Sequence, residues 1–271
     1  MKRTMLVLLA LVVCAVPAAA ITWGHKDTTN QYPNVGTILA SIPSAGGVYQ
    51  WCSGTLIHES VFLTAGHCTV NLPTYLASGL VDKIWVSFDY DPFAQNHTPW
   101  LDVRSVITHQ DFSFKPRSNW HDDGVLILTN PVSGITPATL PPEGFLDELR
   151  AEGALGHGTN GAKFTVAGYG ASLSFPPPRT YSNDVRQFAM SEFRALLPAW
   201  LRMSQQGRTG DGGTCYGDSG GPTFWEAPGG ERILVATTTW GDVPCVTSEF
   251  NQRIDVASAL AFIQGVIEGL P

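Results

Sequence analysis

Charge is scarce in this chain. Of its 271 residues only 14% are Asp, Glu, Lys or Arg, and the 16 Lys and Arg are outnumbered by 23 Asp and Glu, for a formal net charge of -7. No Lys/Arg cluster occurs anywhere, so the basic face that a nucleic-acid partner requires is missing. The longest apolar run, near the start, falls short of the roughly 20 residues that cross a bilayer. No internal repeat stands out, and cysteine is limited to five positions. What is abundant is hydrophobic residue, 44%, enough to bury a large core in one big domain or two small ones.

Residues 1–20 combine a basic start (Lys2, Arg3), an apolar stretch from Met5 to Val16 and the small-residue end Ala18-Ala19-Ala20. That layout predicts a cleavable secretory signal, hence a secreted protein with no membrane attachment once the signal is removed. Its removal takes Cys14 and leaves Cys52, Cys68, Cys215 and Cys245, an even number in an oxidising compartment. Two disulfides are expected, and spacing alone leaves all three pairings open. The sequon Asn96-His97-Thr98 marks a surface loop.

From residue 32 to 107, short β-branched and aromatic runs (35–39, 55–57, 61–63, 84–88, 103–107) alternate with Gly, Pro, Asn and Asp, the rhythm of antiparallel strands. Residues 125–128 add a buried strand, and a Pro-rich stretch at 136–144 reads as a linker. A second series follows at 164–167, 187–190, 222–225 and 233–239, with an exposed Pro-rich loop at 174–179. The expected division is a signal (1–20), an N-terminal β half (21–135), a linker (136–155) and a C-terminal β half (156–271). Val256, Ala257, Leu260, Ile263, Val266, Ile267 and Leu270 recur at spacings of three and four, an amphipathic helix that docks on the β core. A second short helix is expected over 145–152.

Gly217-Asp218-Ser219-Gly220-Gly221-Pro222 places a serine in a tight turn where glycines permit positive φ and close approach of a carbonyl to bare N–H groups. A serine nucleophile needs a base, usually His, oriented by a carboxylate. The last histidine is His157, so no base follows Ser219 and the residue order of an α/β-hydrolase is excluded. His67, in Thr64-Ala65-Gly66-His67-Cys68, follows an apolar run and neighbours a cysteine that can tether it. For the acid, Asp123 heads the buried run Gly124-Val125-Leu126-Ile127-Leu128, and Asp122 is its rival. Neighbours on an extended chain face opposite ways, so one of the two faces the imidazole, and Asp123 is the expected one.

Taken with Trp51-Cys52-Ser53-Gly54-Thr55-Leu56-Ile57, Val166-Ala167-Gly168-Tyr169-Gly170 and Thr239-Trp240-Gly241, these motifs make residues 21–271 resemble the chymotrypsin/trypsin-like serine proteases. The resemblance implies an all-β fold of two six-stranded antiparallel Greek-key barrels with a C-terminal α-helix and the site between the barrels. It pairs Cys52 with Cys68 and Cys215 with Cys245. By the mechanism carried over from chymotrypsin, Ser219 attacks a peptide carbonyl, His67 moves the proton, Asp123 fixes the tautomer, and the N–H groups of Gly217 and Ser219 hold the oxyanion. Protein or peptide substrates, protein inhibitors as further partners, a monomer, and no cofactor or metal are what such an enzyme entails. Acidic Asp82, Asp89 and Asp91 have no recognisable calcium-ligand spacing.

Departures bear on subfamily: Thr239 stands where Ser is usual, Tyr169 where Trp is usual. The pocket floor aligns with Gly213, beside Thr214, and Gly241 leaves the wall open, so an uncharged, mainly apolar residue before the cut bond is expected. Glu249 lies close enough to alter that. In such proteases a new N-terminal ammonium pairs with the acid before the nucleophile, here Asp218. Ile21-Thr22-Trp23-Gly24 resembles the family start, and Ile21 directly follows the signal, so export itself is expected to create the active terminus. Two other classes stay open: a catalytically dead binding protein on the same fold, and a lipase or esterase, which the residue order disfavours.

Overall fold

The computed structural model describes residues 21–270 apart from 116, 159–160, 175–178 and 183–184. The signal expected over 1–20 and the centre of the Pro-rich loop lie outside the described residues. The described residues form fifteen strands: β1 (His25–Lys26), β2 (Val35–Ile42), β3 (Gly47–His58), β4 (Val61–Thr64), β5 (Lys83–Ser87), β6 (Leu101–Thr108), β7 (Gly124–Leu128), β8 (Lys163–Gly168), β9 (Ala171–Ser174), β10 (Arg179–Ser182), β11 (Gln187–Leu196), β12 (Trp200–Ser204), β13 (Pro222–Glu226), β14 (Arg232–Gly241) and β15 (Ser248–Arg253). Helices α1 (Gly66–Thr69), α2 (Leu72–Ser78), α3 (Phe145–Ala151) and α4 (Ala257–Glu268) complete the fold.

Two antiparallel barrels close. The first runs β2-β3-β4-β7-β6-β5 and shuts through the β2–β5 pair; the second runs β11-β12-β15-β14-β13-β8 and shuts through β11–β8, with β1 added along β11. Numbered within each barrel, both orders are 1-2-3-6-5-4. The sequence shows no repeat, yet the topology repeats, because a half-buried pleated strand can be built from many different β-branched and aromatic side chains. The separate hairpin β9–β10 is small.

Ile38, Leu56, Phe62, Val86, Leu126 and Leu128 fill the first barrel, and Phe164, Val166, Leu201, Met203 and Val235 fill the second. Each such side chain, fully buried, contributes roughly 1.5–3 kcal/mol relative to exposure. A third cluster joins Val35, Leu63 and Val125 to Tyr169, Phe224 and Leu234, and is capped by Phe262 and Ile263 of α4. The apolar stripe of the C-terminal helix is therefore core packing, as its periodicity required. Among the described residues no helix is long and apolar enough to cross a membrane.

Fully buried Arg186 also ties the elements together. Its Nε donates to Asp27 Oδ2 at 2.8 Å, and its Nη1 to Phe88 O at 2.8 Å and to Tyr169 Oη at 3.0 Å. Only such saturation makes a buried cation tolerable.

Candidate active site

Strand β4 delivers the chain to Ala65, and the single turn α1 then carries His67 on the rim of the first barrel. Cys52 and Cys68 are bonded, and the Trp51 indole donates to Cys68 O at 2.9 Å, so the histidine stands on a braced turn. Among the described residues the one group of His, Cys and acid compact enough to hold a metal is Cys52, His67 and Cys68, and its sulfurs are spent in that disulfide.

The acid facing His67 is Asp122, which corrects the expectation of Asp123. Asp122 Oδ2 lies 2.9 Å from His67 Nδ1, and Oδ1 accepts the His67 backbone N–H at 2.7 Å, so one carboxylate fixes both ring and backbone. Asp123 is buried, and neither of its carboxylate oxygens has a hydrogen-bond partner among the described residues. Desolvation first, and then the neighbouring Asp122 charge, push its pKa well above the usual carboxylate range. The two acids do face different ways, as extended-chain alternation required; what alternation missed is the turn before them. His121 is left-handed (φ 48°), and Asn119 Oδ1 accepts its N–H at 2.9 Å. That turn resets which residue meets the imidazole. Asp123 has the parity of Val125 and Ile127, which pack into the cluster under α4.

Burial alone lowers the His67 pKa, but the Asp122 charge and hydrogen bond outweigh it, and the net position is above the ordinary value. The imidazole is thus oriented and ready to accept a proton.

Ser219 sits in the turn between Cys215 and β13. Its carbonyl accepts Ser53 N–H at 2.9 Å and lies 3.8 Å from Cys68 Sγ, which sets the serine beside the turn bearing His67. Among the described residues no hydrogen bond joins its hydroxyl to the His67 ring; catalytic hydrogen bonds often tighten only when substrate is bound. Gly217 has φ 95°, a conformation that favours glycine, and a Cβ there would come within 2.6 Å of Gln50 Oε1. The Tyr216 carbonyl is held by Ala171 N–H at 2.5 Å, which turns the Gly217 N–H of the same peptide the opposite way.

Asp218, fully buried, accepts Gly170 N–H at 2.8 Å and Cys215 N–H at 2.9 Å. Desolvation outweighs these donors and pushes its pKa up to about 8. Ile21 is also fully buried, and Thr22 exchanges backbone bonds with Gly213 at 2.9 and 3.0 Å. The start of the second expected segment is therefore buried and paired with Gly213. With residues 1–20 attached the Ile21 nitrogen is an amide, and among the described residues nothing bonds it to Asp218.

Cys215 and Cys245 are bonded and flank a cavity of about 280 Å³ lined by Thr214, Tyr216, Ser219, Thr239, Trp240 and Gly241, among others. Gly213 does not line it, contrary to expectation. A Cβ on Gly213 would collide with the Gln205 side chain, which covers that residue. Glu249, behind the cavity, spends Oε2 on Thr214 N–H (2.8 Å), Thr214 Oγ1 (2.5 Å) and Gln205 Nε2 (3.3 Å). Gln205 carries no local sequence signal, whereas the nearness of Glu249 to the pocket is already suggested by its position in the sequence; the β12–β15 and β14–β15 pairings set Glu249 against Thr214, at the cavity's edge.

The family model described as Trypsin matches residues 21–263. Among curated proteins, the thrombin-like enzyme elegaxobin-1 of Protobothrops elegans is 29% identical over 80% of this chain and 86% of its own length. Alkaline trypsin C of Manduca sexta is 26% identical over 93% of this chain and 95% of its own length. Human serine protease 56 is 28% identical over 80% of the chain, but the match spans only 36% of that protein. The chain belongs to the trypsin family.

Proposed function

We propose that the protein is a secreted serine endopeptidase acting through Ser219, His67 and Asp122. The observation that carries this is the double grip of Asp122 on His67, on the side of the fold where Gly217 holds a left-handed turn two residues before a serine. Ser219 attacks the scissile carbonyl, and His67 accepts the hydroxyl proton as the tetrahedral intermediate forms. His67 then gives that proton to the leaving amine, leaving an acyl-enzyme that water cleaves by the same steps. Asp122 holds the imidazole tautomer and stabilises the imidazolium. The N–H groups of Gly217 and Ser219 cradle the oxyanion, and Thr239, Trp240 and Gly241 pair with the substrate backbone as an added strand. The signal over 1–20, a barrel over 21–135, a linker over 136–155 and a second barrel over 156–271 remain the proposed organisation, with a free Ile21 ammonium pairing with Asp218 on activation.

For the residue before the cut bond we favour an uncharged side chain. Asp242, the acid lining the cavity, already accepts backbone N–H groups of Val246, Thr247 and Ser248. A second reading rests on Glu249 Oε1, buried with no hydrogen-bond partner among the described residues: a Lys or Arg reaching it would find an acceptor. The decisive experiment on the activity is labelling by a sulfonyl fluoride. Label on Ser219 that is lost in His67→Ala supports the endopeptidase reading, and an unlabelled, inert chain would favour a binding protein on the same fold.

A further inference from the structure

The residue that grips the nucleophile turn most fully comes from the other barrel. Ser53, on β3, is completely buried and uses every polar group it has. Its backbone N–H donates to Ser219 O at 2.9 Å. Its hydroxyl donates to Gly217 O at 3.0 Å and accepts the Tyr169 N–H, also at 3.0 Å. Its own carbonyl accepts Thr64 Oγ1 at 2.7 Å. One residue of the first barrel thereby holds the carbonyls of both residues whose N–H groups are assigned above to the oxyanion. Gln50, half-buried on the same strand, adds a second donor to Gly217 O, Nε2 at 2.8 Å.

We propose that Ser53, assisted by Gln50, is a positioning residue for the oxyanion hole, an inference that rests on the endopeptidase reading above. Two linked peptide planes meet at Gly217. The plane before Gly217 carries its N–H and is fixed at one end by Ala171 on Tyr216 O. The plane after it is held on its carbonyl side, at Gly217 O, by Ser53 and Gln50, and on its N–H side by the Asp218 N–H, which donates to Cys215 O at 3.0 Å. Glycine at φ 95° has no side chain to resist rotation, so these contacts set the angle between the planes. Close packing adds to the hold: a Cβ on Gly170 would lie 2.6 Å from Tyr216 O. Losing the Ser53 hydroxyl leaves the buried Tyr169 N–H without its acceptor and the Gly217 carbonyl with one donor fewer. The Gly217 N–H would then drift from the place where negative charge develops. Because that charge exists only in the transition state, the loss falls on kcat rather than KM.

The test is Ser53→Ala in the full-length, activated chain, assayed for kcat and KM on a peptide amide and for affinity to a peptidyl boronate. The boronate forms a tetrahedral adduct with the serine and places an oxygen in the hole. A roughly tenfold fall in kcat is expected, smaller than the ~10²–10³ seen when an oxyanion donor is lost outright. KM should stay within about twofold, and boronate affinity should fall by the same factor as kcat. Unchanged kcat, or a loss of kcat without a matching loss of boronate affinity, overturns the proposal. Should Ser53→Ala fail to fold, Ser53→Gly and Gln50→Ala decide it: if neither lowers kcat and boronate affinity together, the proposal is overturned. A wild-type chain that neither cleaves the amide nor takes the sulfonyl label overturns the endopeptidase reading, and this inference with it. Active wild type beside equally active variants overturns this inference alone.

Discussion

His67 and Asp122 meet twice, through ring Nδ1 and Oδ2 at 2.9 Å and through backbone N–H and Oδ1 at 2.7 Å. Asp122→Asn keeps the shape but removes the charge and favours the wrong tautomer, so kcat should fall by about 10⁴. Asp123→Asn should leave kcat within about threefold, because that carboxylate hydrogen-bonds to neither serine nor imidazole. Steady-state kinetics on the two variants checks the assignment, and the reverse pattern would restore Asp123 to the triad.

The same pair sets the acid limb of activity. His67 must be neutral to accept the Ser219 proton, and its pKa lies above the ordinary 6.5. Activity should therefore be lost as pH falls through a midpoint above 6.5. A kcat/KM profile of the free enzyme reads that midpoint directly. In Asp122→Asn the residual activity should show it shifted downward, since only desolvation then remains.

Asp218 gives a stability signature in the uncut chain. Its carboxyl titrates near 3.8 when unfolded and near 8 when buried, so the folded state binds more protons between those values. Its contribution is fully present below about pH 4 and declines as pH rises toward 8. Thermal melts across this window should show falling Tm, and Asp218→Asn should reduce the slope. Asp123 slopes the same way, so some decline should persist; a slope unchanged by the substitution counts against this account.

A free Ile21 ammonium would supply the cation Asp218 lacks. Material cut before Ile21 should be fully active, and one extra residue ahead of Ile21 should lower activity at least tenfold, by burying an unpaired charge. N-terminal sequencing of active secreted protein checks this, and full activity with any other start sinks the ion pair.

Cleavage of a peptide library should favour uncharged residues before the cut bond. Lys or Arg cleaved at least tenfold faster than Phe, Leu or Ala, a difference of about 1.4 kcal/mol, would transfer the choice to Glu249 Oε1.

The sequence by itself determined the elements whose physics is local. Short β-branched and aromatic runs bounded by turn residues marked β2, β4 and β7, the three-four spacing of Leu260, Ile263 and Ile267 marked α4, and glycines around Ser219 marked a turn built for close approach. It did not reveal β12 or β15, whose polar Arg202, Glu249 and Gln252 break the apolar alternation, because their burial depends on barrel closure. Nor could it choose between Asp122 and Asp123, since that choice turns on one left-handed residue, His121. The cover of Gln205 over Gly213 and the reach of Ser53 to Gly217, 164 positions away, were decided only in the tertiary structure. A single hydroxyl carries no periodicity, and it gains a partner only when two barrels close against each other.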